Sequence, residues 1–554
     1  MKKIIYLTLA IITFNTIALS QENNLPAESI YIHTNSNTFI TGESLLYKVY
    51  CFENSNNILS SISKIAYIEL FNSKGESLSR NKIELNSGVG NNEIFISTNF
   101  ETGKYKLVGY TSWMQNNSNN KYFETEITII NPFKPFQNKV EKKTPKHFEK
   151  IETSNASNEI SLALNKKIFS PRKKIIIDIE KKELKNELGN FSLSVRKLDS
   201  LQFNSSTTSN VNTLNQNVQQ VSFLPEVRGE LLSGKITTEN PNKSLINNVA
   251  LSFTGEKFDL KIFKTNANGE FHFILDKNIS NTNALLQVLD DETNEYKIIL
   301  NNPTSILMEK DETEEIYINP NFVNQIEERL ISCQILNTYA EQDTISINEQ
   351  FVPFYHPNQT DYILDDYKRF PTLKETVIEI IPSVYFKKNN DQYSLHIRDY
   401  VTSGDSYGKA LVLIDGLMIQ NVNELFNYNT KNIYKISVVN KAYVYGSKIF
   451  SGLISIITFD KNYTSIPKEI IPFSIERYRS SAKYVTPNYE NPDDFKRIPD
   501  FRYQLLWNPA IKMDQEKSSV EFYTSDIKGN FEITLEGFTN NGKHIVVKEY
   551  FSVQ

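Results

Sequence analysis

The sequence predicts a mainly β protein: several β-sandwich modules in series plus a small α/β domain. Three observations predict it. Short runs of alternating apolar and polar residues recur along the chain, separated by turn residues. The chain carries 29 Tyr and 34 Phe, which favour pleated, half-buried surfaces. One stretch, 409–460, departs from that pattern with a tight hairpin, a short helical piece and two apolar strands. At 554 residues there is room for about three to five domains. Hydrophobic content of 39% and charged content of 23% are those of a globular protein. The net charge of −5, with both signs interspersed, implies no nucleic-acid partner and no anionic-membrane patch.

Residues 1–20 read as an export signal. Lys2 and Lys3 precede an apolar run over 4–18, and Ala18-Leu19-Ser20 supplies the small residues of a cleavage site before Gln21. A membrane anchor is the weaker reading, because the run is shorter than the ~20 residues needed and contains Thr13, Asn15 and Thr16. No Cys follows the run, so a lipid anchor is not expected, and no other stretch reaches spanning length. The mature chain is expected in the periplasm, reaching a membrane only through partners. Cys51 and Cys333 fall in different expected domains and read as two buried thiols rather than one bridge.

A β-sandwich is expected over 28–132. Ile30 and Ile32 alternate with polar neighbours, Thr41-Gly42-Glu43 is a turn, and further strands are expected at 65–71, 93–97, 103–111 and 123–130. The residues Ile32-His33-Thr34, Thr41-Gly42-Glu43 and the Gly103, Tyr105, Leu107, Tyr110, Trp113 run resemble a macroglobulin-type domain of bacterial alpha-2-macroglobulin-like proteins. An unrelated immunoglobulin-like sandwich would show the same pattern. After a Lys/Pro/Asn-rich linker at 131–158, a second, reduced sandwich with its own linker is expected over 160–226. The Ser/Thr/Asn/Gln-rich 199–221 reads as a loop.

The third module is expected over 227–302. Gly234 opens it, Asn248-Val249-Ala250-Leu251 follows, and Thr265-Asn266-Ala267-Asn268-Gly269-Glu270-Phe271-His272-Phe273 closes the motif. These residues resemble the carboxypeptidase regulatory-like domain, with Gly234, Gly269, Phe271 and Phe273 at its motif positions. The resemblance implies a prealbumin-like sandwich that accompanies folding or interaction and is not a peptidase. Asn266 stands where that family has Asp, which weakens any calcium site.

A helix is expected over 321–341, with Phe322, Ile326, Leu330, Ile331, Leu336 and Tyr339 on one face. Together with 351–462 it makes up an expected domain over 320–462. A second helix at 373–381 stops before Pro382, and strands follow at 384–387 and 393–398. Leu411-Val412-Leu413-Ile414 then leads into Asp415-Gly416, the dipeptide of a type I′ hairpin, with Leu417-Met418-Ile419 behind it. A helical piece over 422–428 opens on Asn421 or Asn423. An apolar strand at 433–439, the Tyr445-Gly446 turn, Gly452 and a closing strand at 453–459 complete the order. This order, with Asp415, Gly416, Tyr445, Gly446 and Gly452 at its motif positions, resembles the plug domain of TonB-dependent outer-membrane receptors. Such a plug sits inside a barrel of about 22 strands of ~10 residues each. Fewer than about 100 residues follow Asp460 here, so the expected pore belongs to another chain. A last sandwich is expected over 470–554, where Phe522-Tyr523-Thr524-Ser525-Asp526 resembles a closing segment of macroglobulin-type modules.

No catalytic, metal or cofactor-binding residues are singled out, and no cofactor is expected. None of the six His stands at a metal-ligand spacing, and no Gly-x-Ser-x-Gly elbow or phosphate loop is present. The Cys-Gly-Glu-Gln thioester motif of macroglobulins is absent. Asp290-Asp291-Glu292 and Asp365-Asp366 read as solvated charges. The resemblances imply a non-enzymatic periplasmic accessory protein that docks on or closes a separate outer-membrane channel, either a transport receptor or a secretion translocon. The expected partner is an outer-membrane β-barrel protein, with no small-molecule substrate. The alternative is an exported adhesion or protease-binding protein built of macroglobulin-type modules.

Overall fold

The computed structural model describes residues 26–116, 122–134, 159–182, 188–199, 201, 207–208, 222–275, 282–290, 295–301, 306–310, 316, 318, 322–339, 351–389, 392–398, 408–467, 470–479, 481, 484–490 and 499–554. The expected export signal and most of the 131–158 linker and 199–221 loop lie outside these residues. The chain forms two units. One gathers Met1–Arg228, Ile306–Asp343 and Tyr478–Gln554; the other gathers Gly229–Ser305 and Thr344–Arg477.

In the first unit, alternating residues of 28–130 build a sandwich. One sheet centres on Ser44–Glu53, flanked by Glu28–Thr34 on one side and Val89–Phe95 on the other. The facing sheet runs Phe123–Ile130, Gly103–Tyr110, Ile65–Phe71, Ser77–Glu84. Ile30, Val49, Cys51, Ile68, Leu107 and Ile127 meet in its core. Leu45, Tyr47, Val49 and Cys51, two apart along one strand, all point to this core, as the period of a strand requires.

The segments 160–226 and 470–554, expected as two sandwiches, contribute to a single one. Lys174–Lys181 pairs antiparallel with both Ile160–Leu164 and Lys517–Tyr523. Gly189–Lys197 lies between Gln504–Lys512 and Gly529–Thr539, and His544–Val553 extends that sheet. The two halves share one core, in which Ile177, Phe191 and Leu193 pack with Leu505, Phe531 and Leu535. Neither half has enough strands to cover an apolar face alone. Arg172 secures the joint, its Nε and Nη2 each donating at 2.6 Å to the two carboxylate oxygens of Asp526. Residues 229–477 are thus inserted between two halves of one module.

The helix Val323–Tyr339 also departs from expectation, because it belongs to the first unit and not to the α/β domain. Its buried stripe is Ile326, Arg329 and Cys333, whereas Ile331 and Leu336 are exposed. Arg329 turns the helix. Its guanidinium donates to both Glu43 carboxylate oxygens at 2.9 and 2.5 Å and to Asp199 at 3.2 Å. A fully buried cation needs such partners, and these hold Arg329 on the inner face where an apolar residue would be expected. Cys51 and Cys333 are both free and buried.

The second unit joins a sandwich to the α/β domain. The sandwich sheets are Glu270–Leu275, Glu230–Thr238, Tyr296–Leu300 and Asp259–Lys264, Asn248–Phe253, Asn283–Val288. A seventh strand, Ile471–Ser474, pairs with Asn283–Val288 after the chain has passed through the α/β domain. Residues 471–474, expected at the start of the last sandwich, therefore complete this one. In the α/β domain, Leu453–Thr458 lies between parallel Leu411–Ile414 and antiparallel Ile433–Val439, with Thr360–Ile363 outside the latter. The helix Leu373–Ile380 begins on a capping box between Thr372 and Glu375. Among the described residues, no helix is long and apolar enough to cross a membrane.

Candidate functional site

The hairpin between Leu411–Ile414 and Leu417–Met418 turns at Asp415 and Gly416, whose φ values are +46° and +88°. Both central residues are left-handed, as a type I′ turn demands. Asp415 is fully buried. Its carboxylate accepts from the Thr458 amide at 2.8 Å and the Thr458 hydroxyl at 2.6 Å, tying the turn to the closing strand. Burial raises its pKa more than the Thr458 hydrogen bonds lower it. Gly416 lies directly against the unit's own sandwich, where an added Cβ would come 2.8 Å from the Phe253 carbonyl oxygen and collide with Phe258.

The other motif residues lie on the same side. The Tyr445 hydroxyl donates to the Leu260 carbonyl, and Gly446 abuts Ile262. Between them Leu411, Leu413, Met418 and Val439 share one core with Ala250, Phe258, Leu260 and Ile262. Gln287 donates to the Met418 carbonyl at 2.8 Å. Gly452 lets Ile397 and the Val439 carbonyl approach within the domain. These positions were expected to be structural and to face a partner. The structure sets them against the neighbouring sandwich of the same chain: Phe253 and Phe258 cover the hairpin tip, and Leu260 and Ile262 meet Tyr445 and Gly446. In that sandwich Phe271 and Phe273 are core residues, Gly234 passes the Phe271 ring, and Gly269 closes a turn against Ile236.

One constellation has no sequence motif. Ser192 Oγ lies 2.6 Å from His33 Nδ1, and His33 Nε2 lies 3.3 Å from Glu536 Oε2. The three side chains come from three distant strands, so spacing along the chain cannot reveal them. The order is that of a hydrolytic triad, but the setting is not. Ser192 is fully buried, its hydroxyl also lies 3.1 Å from the Glu536 carbonyl, and Trp507 packs on the imidazole. A nucleophile needs room about 3 Å away for the reacting atom. The Tyr31 hydroxyl donates to Glu536 at 2.5 Å, and His544 lies 3.1 Å from the same oxygen. Lys48 donates to the Phe191 carbonyl at 2.9 Å. The cluster is a polar seam between the two sandwiches of the first unit. Burial lowers the His33 pKa more than Glu536 raises it, so the imidazole is neutral at pH 7.

An exposed recess of the second unit has a different character. It holds about 360 Å³ beside the helix Leu373–Ile380 and the hairpin of Val384–Asn389 with Gln392–Ile397. Its walls carry Lys374, Lys388 and Arg398 among Tyr385, Phe386, Tyr393 and Phe426, and among the described residues no carboxylate lines it. Tyr393 stacks on Phe426 at 3.9 Å, with Lys374 4.9 Å from the Phe426 ring and Arg398 5.6 Å from Tyr385. A larger cleft of about 550 Å³ lies near Gln420 and Lys448. There Lys448 is paired with Asp290 at 2.5 Å, and Gln420 is bonded to Gln287 and Val288. Among the described residues, no cluster of three or more His, Cys, Asp or Glu could hold a metal ion.

No protein-family model matches the chain, and no curated protein matches it. Among solved structures, Escherichia coli alpha-2-macroglobulin activated by porcine elastase is similar over 95% of this chain and 44% of that one, at 9% identity and TM-score 0.25. Salmonella alpha-2-macroglobulin reacted with methylamine is similar over 96% and 40%, at 8% identity and TM-score 0.24. The Yersinia pseudotuberculosis adhesin InvE is similar over 49% and 57%, at 11% identity and TM-score 0.14. The chain spans less than half the length of these macroglobulins. Likeness this slight says nothing of binding or activity.

Proposed function

We propose that this chain is a non-enzymatic, exported interaction protein that docks on an outer-membrane channel and does not fill its lumen. The observation that carries the choice is the burial of the Asp415-Gly416 turn against Phe253 and Phe258, beside the contact of Tyr445 and Gly446 with Leu260 and Ile262. A plug reaches its barrel with its own surface. Here part of that surface is covered by a second domain that shares its core. Docking from the periplasmic side leaves this core intact and uses the free faces of the second unit. The proposal includes the resemblances drawn above: macroglobulin-type modules, a regulatory-like sandwich and a plug-like domain from a Bacteroidota-like cell. It includes no nucleic acid, cofactor or small-molecule substrate.

Capture with tagged protein from detergent-solubilised outer membranes tests the reading. Recovery of a β-barrel protein, reduced when the second unit is cut away, supports it. Recovery of no barrel protein, with protease shaving of intact cells removing the chain from the surface, overturns it in favour of an exported adhesion or protease-binding role.

A further inference from the structure

We propose that Lys48 and Asn190 join through a side-chain amide bond, which staples the two sandwiches of the first unit to each other. The pair is already in contact. Lys48 Nζ donates to the Asn190 side-chain carbonyl and, at 2.9 Å, to the Phe191 main-chain carbonyl. Lys48 lies on Ser44–Glu53 of the first sandwich and Asn190 on Gly189–Lys197 of the second, 142 residues apart in sequence. The lysine is 2% exposed, and burial holds its pKa well below the ordinary value. Among the described residues, no carboxylate offsets that burial. A desolvated lysine populates the neutral amine, which is the nucleophilic form. A neutral amine that gives both N–H groups to carbonyls keeps its lone pair, and Asn190 Cγ is one bond from the oxygen it touches. Holding the reactants side by side replaces a chance encounter by a small rotation. The amide also removes a buried cation that a hydrogen bond alone would leave in place.

The step balances without an oxidant or a co-reactant. The Nζ lone pair attacks Asn190 Cγ, and the carbonyl π electrons move to Oδ1. Collapse of the tetrahedral adduct re-forms the carbonyl and breaks the Cγ–Nδ2 bond. A proton from the amine passes to the departing nitrogen, which leaves as ammonia. The seam supplies a relay for that proton. His33 is directly opposite Lys48 in the strand register, and Ser192, which meets His33, is two residues along from Asn190 on the face turned to the first sandwich. With Glu536 they border the pair with an imidazole, a hydroxyl and a carboxylate. The Tyr50 ring covers the amine at 4.7 Å, whereas Asn190 is only half-buried, which gives ammonia a way out.

This inference is independent of the docking reading, and its test needs only the purified full chain. After incubation at neutral pH the protein is denatured, digested with trypsin and mapped by mass spectrometry. The expected result is a branched peptide joining the segments around Lys48 and Asn190, lighter than its two arms by one ammonia and left uncut at Lys48. Lys48→Met and Asn190→Ala should each abolish it. Glu536→Gln should slow its appearance by about tenfold or more, as loss of a proton relay does. Each variant is first shown to be native by protection of Cys51 from a thiol reagent. The parent should also run faster than Lys48→Met in denaturing electrophoresis, because the bridge closes a loop of 142 residues. Linear peptides alone in the parent would overturn the proposal. So would an ammonia loss that persists in Lys48→Met and Asn190→Ala, since cyclisation of Gln21 or of another amide would then account for it. Formation at the parental rate in Glu536→Gln would overturn the relay.

Discussion

Replacing Gly416 by alanine isolates the contact between the α/β domain and its sandwich, because Gly408 supplies a matched reference. The two glycines have φ values of +88° and +80°, so alanine meets nearly the same backbone strain at each, about 1–2 kcal/mol. Their surroundings differ. Among the described residues a Cβ on Gly408 would have no heavy atom within 4 Å, whereas one on Gly416 would be driven into Phe258 and the Phe253 carbonyl. Overpacking a closed core adds about 1–3 kcal/mol. The two variants should therefore differ by that amount, and the difference should be local to the shared core. A multidomain chain does not unfold in one step, so amide hydrogen exchange is the suitable assay. In Gly416→Ala, amides of Asn248–Phe253, Asp259–Lys264 and Leu411–Ile414 should exchange about 5- to 140-fold faster than in Gly408→Ala, at 1.4 kcal/mol per decade. Equal exchange in the two variants would refute a tight contact at the hairpin tip.

Three further predictions concern the first unit. Arg329→Met should cost about 3–5 kcal/mol and loosen Val323–Tyr339 in hydrogen exchange, because Glu43 loses its main partner. The double variant with Glu43→Gln should recover part of that loss, and no recovery would mean that the ion pair is not the cause. His33 links the sandwich seam to pH. Its folded pKa lies below the unfolded 6.5, so its contribution is whole above about 6.5 and is lost as the pH falls. Glu536 acts in the same direction. Burial raises its carboxyl, but contacts with His33, His544 and Tyr31 outweigh that and hold it below the ordinary 4.5, so acid weakens it too. Lys48, His544 and Lys548 face the same imidazole and oppose its protonation. Melts between about pH 7.5 and 5.5 should fall with pH, and His33→Gln should flatten that slope; an unchanged slope in the variant counts against the seam. Burial pushes the Cys333 thiol up to about 12 and also raises the Cys51 thiol well above its ordinary value. A thiol reagent should label neither in the native protein and both in denaturant, whereas immediate native labelling would contradict their burial.

What the sequence disclosed was local. The Asp415-Gly416 turn, the helix ending before Pro382 and the alternating strands of 28–130 all follow from neighbours a few residues apart. Pairing across the insertion did not follow. Nothing near Arg172 points to Asp526, and the strands of 160–197 read as a small module until those of 504–553 complete their sheets. The inward face of Val323–Tyr339 differs from the apolar stripe for the same reason, since the distant Glu43 makes Arg329 an inward residue. The Ser192, His33 and Glu536 seam left no motif, and only burial separates it from a working triad. The hairpin residues were legible as a turn, but their cover by Phe258 was not.

The central claim is that the second unit docks with its hairpin tip still covered. Cross-linking mass spectrometry on intact outer membranes tests it most directly. The account predicts links from Lys374 and Lys388 to a β-barrel protein, together with the internal link between Lys461 and Lys257 that the closed unit allows. Links from a barrel lumen to the 415–418 turn, with that internal link lost, would contradict it.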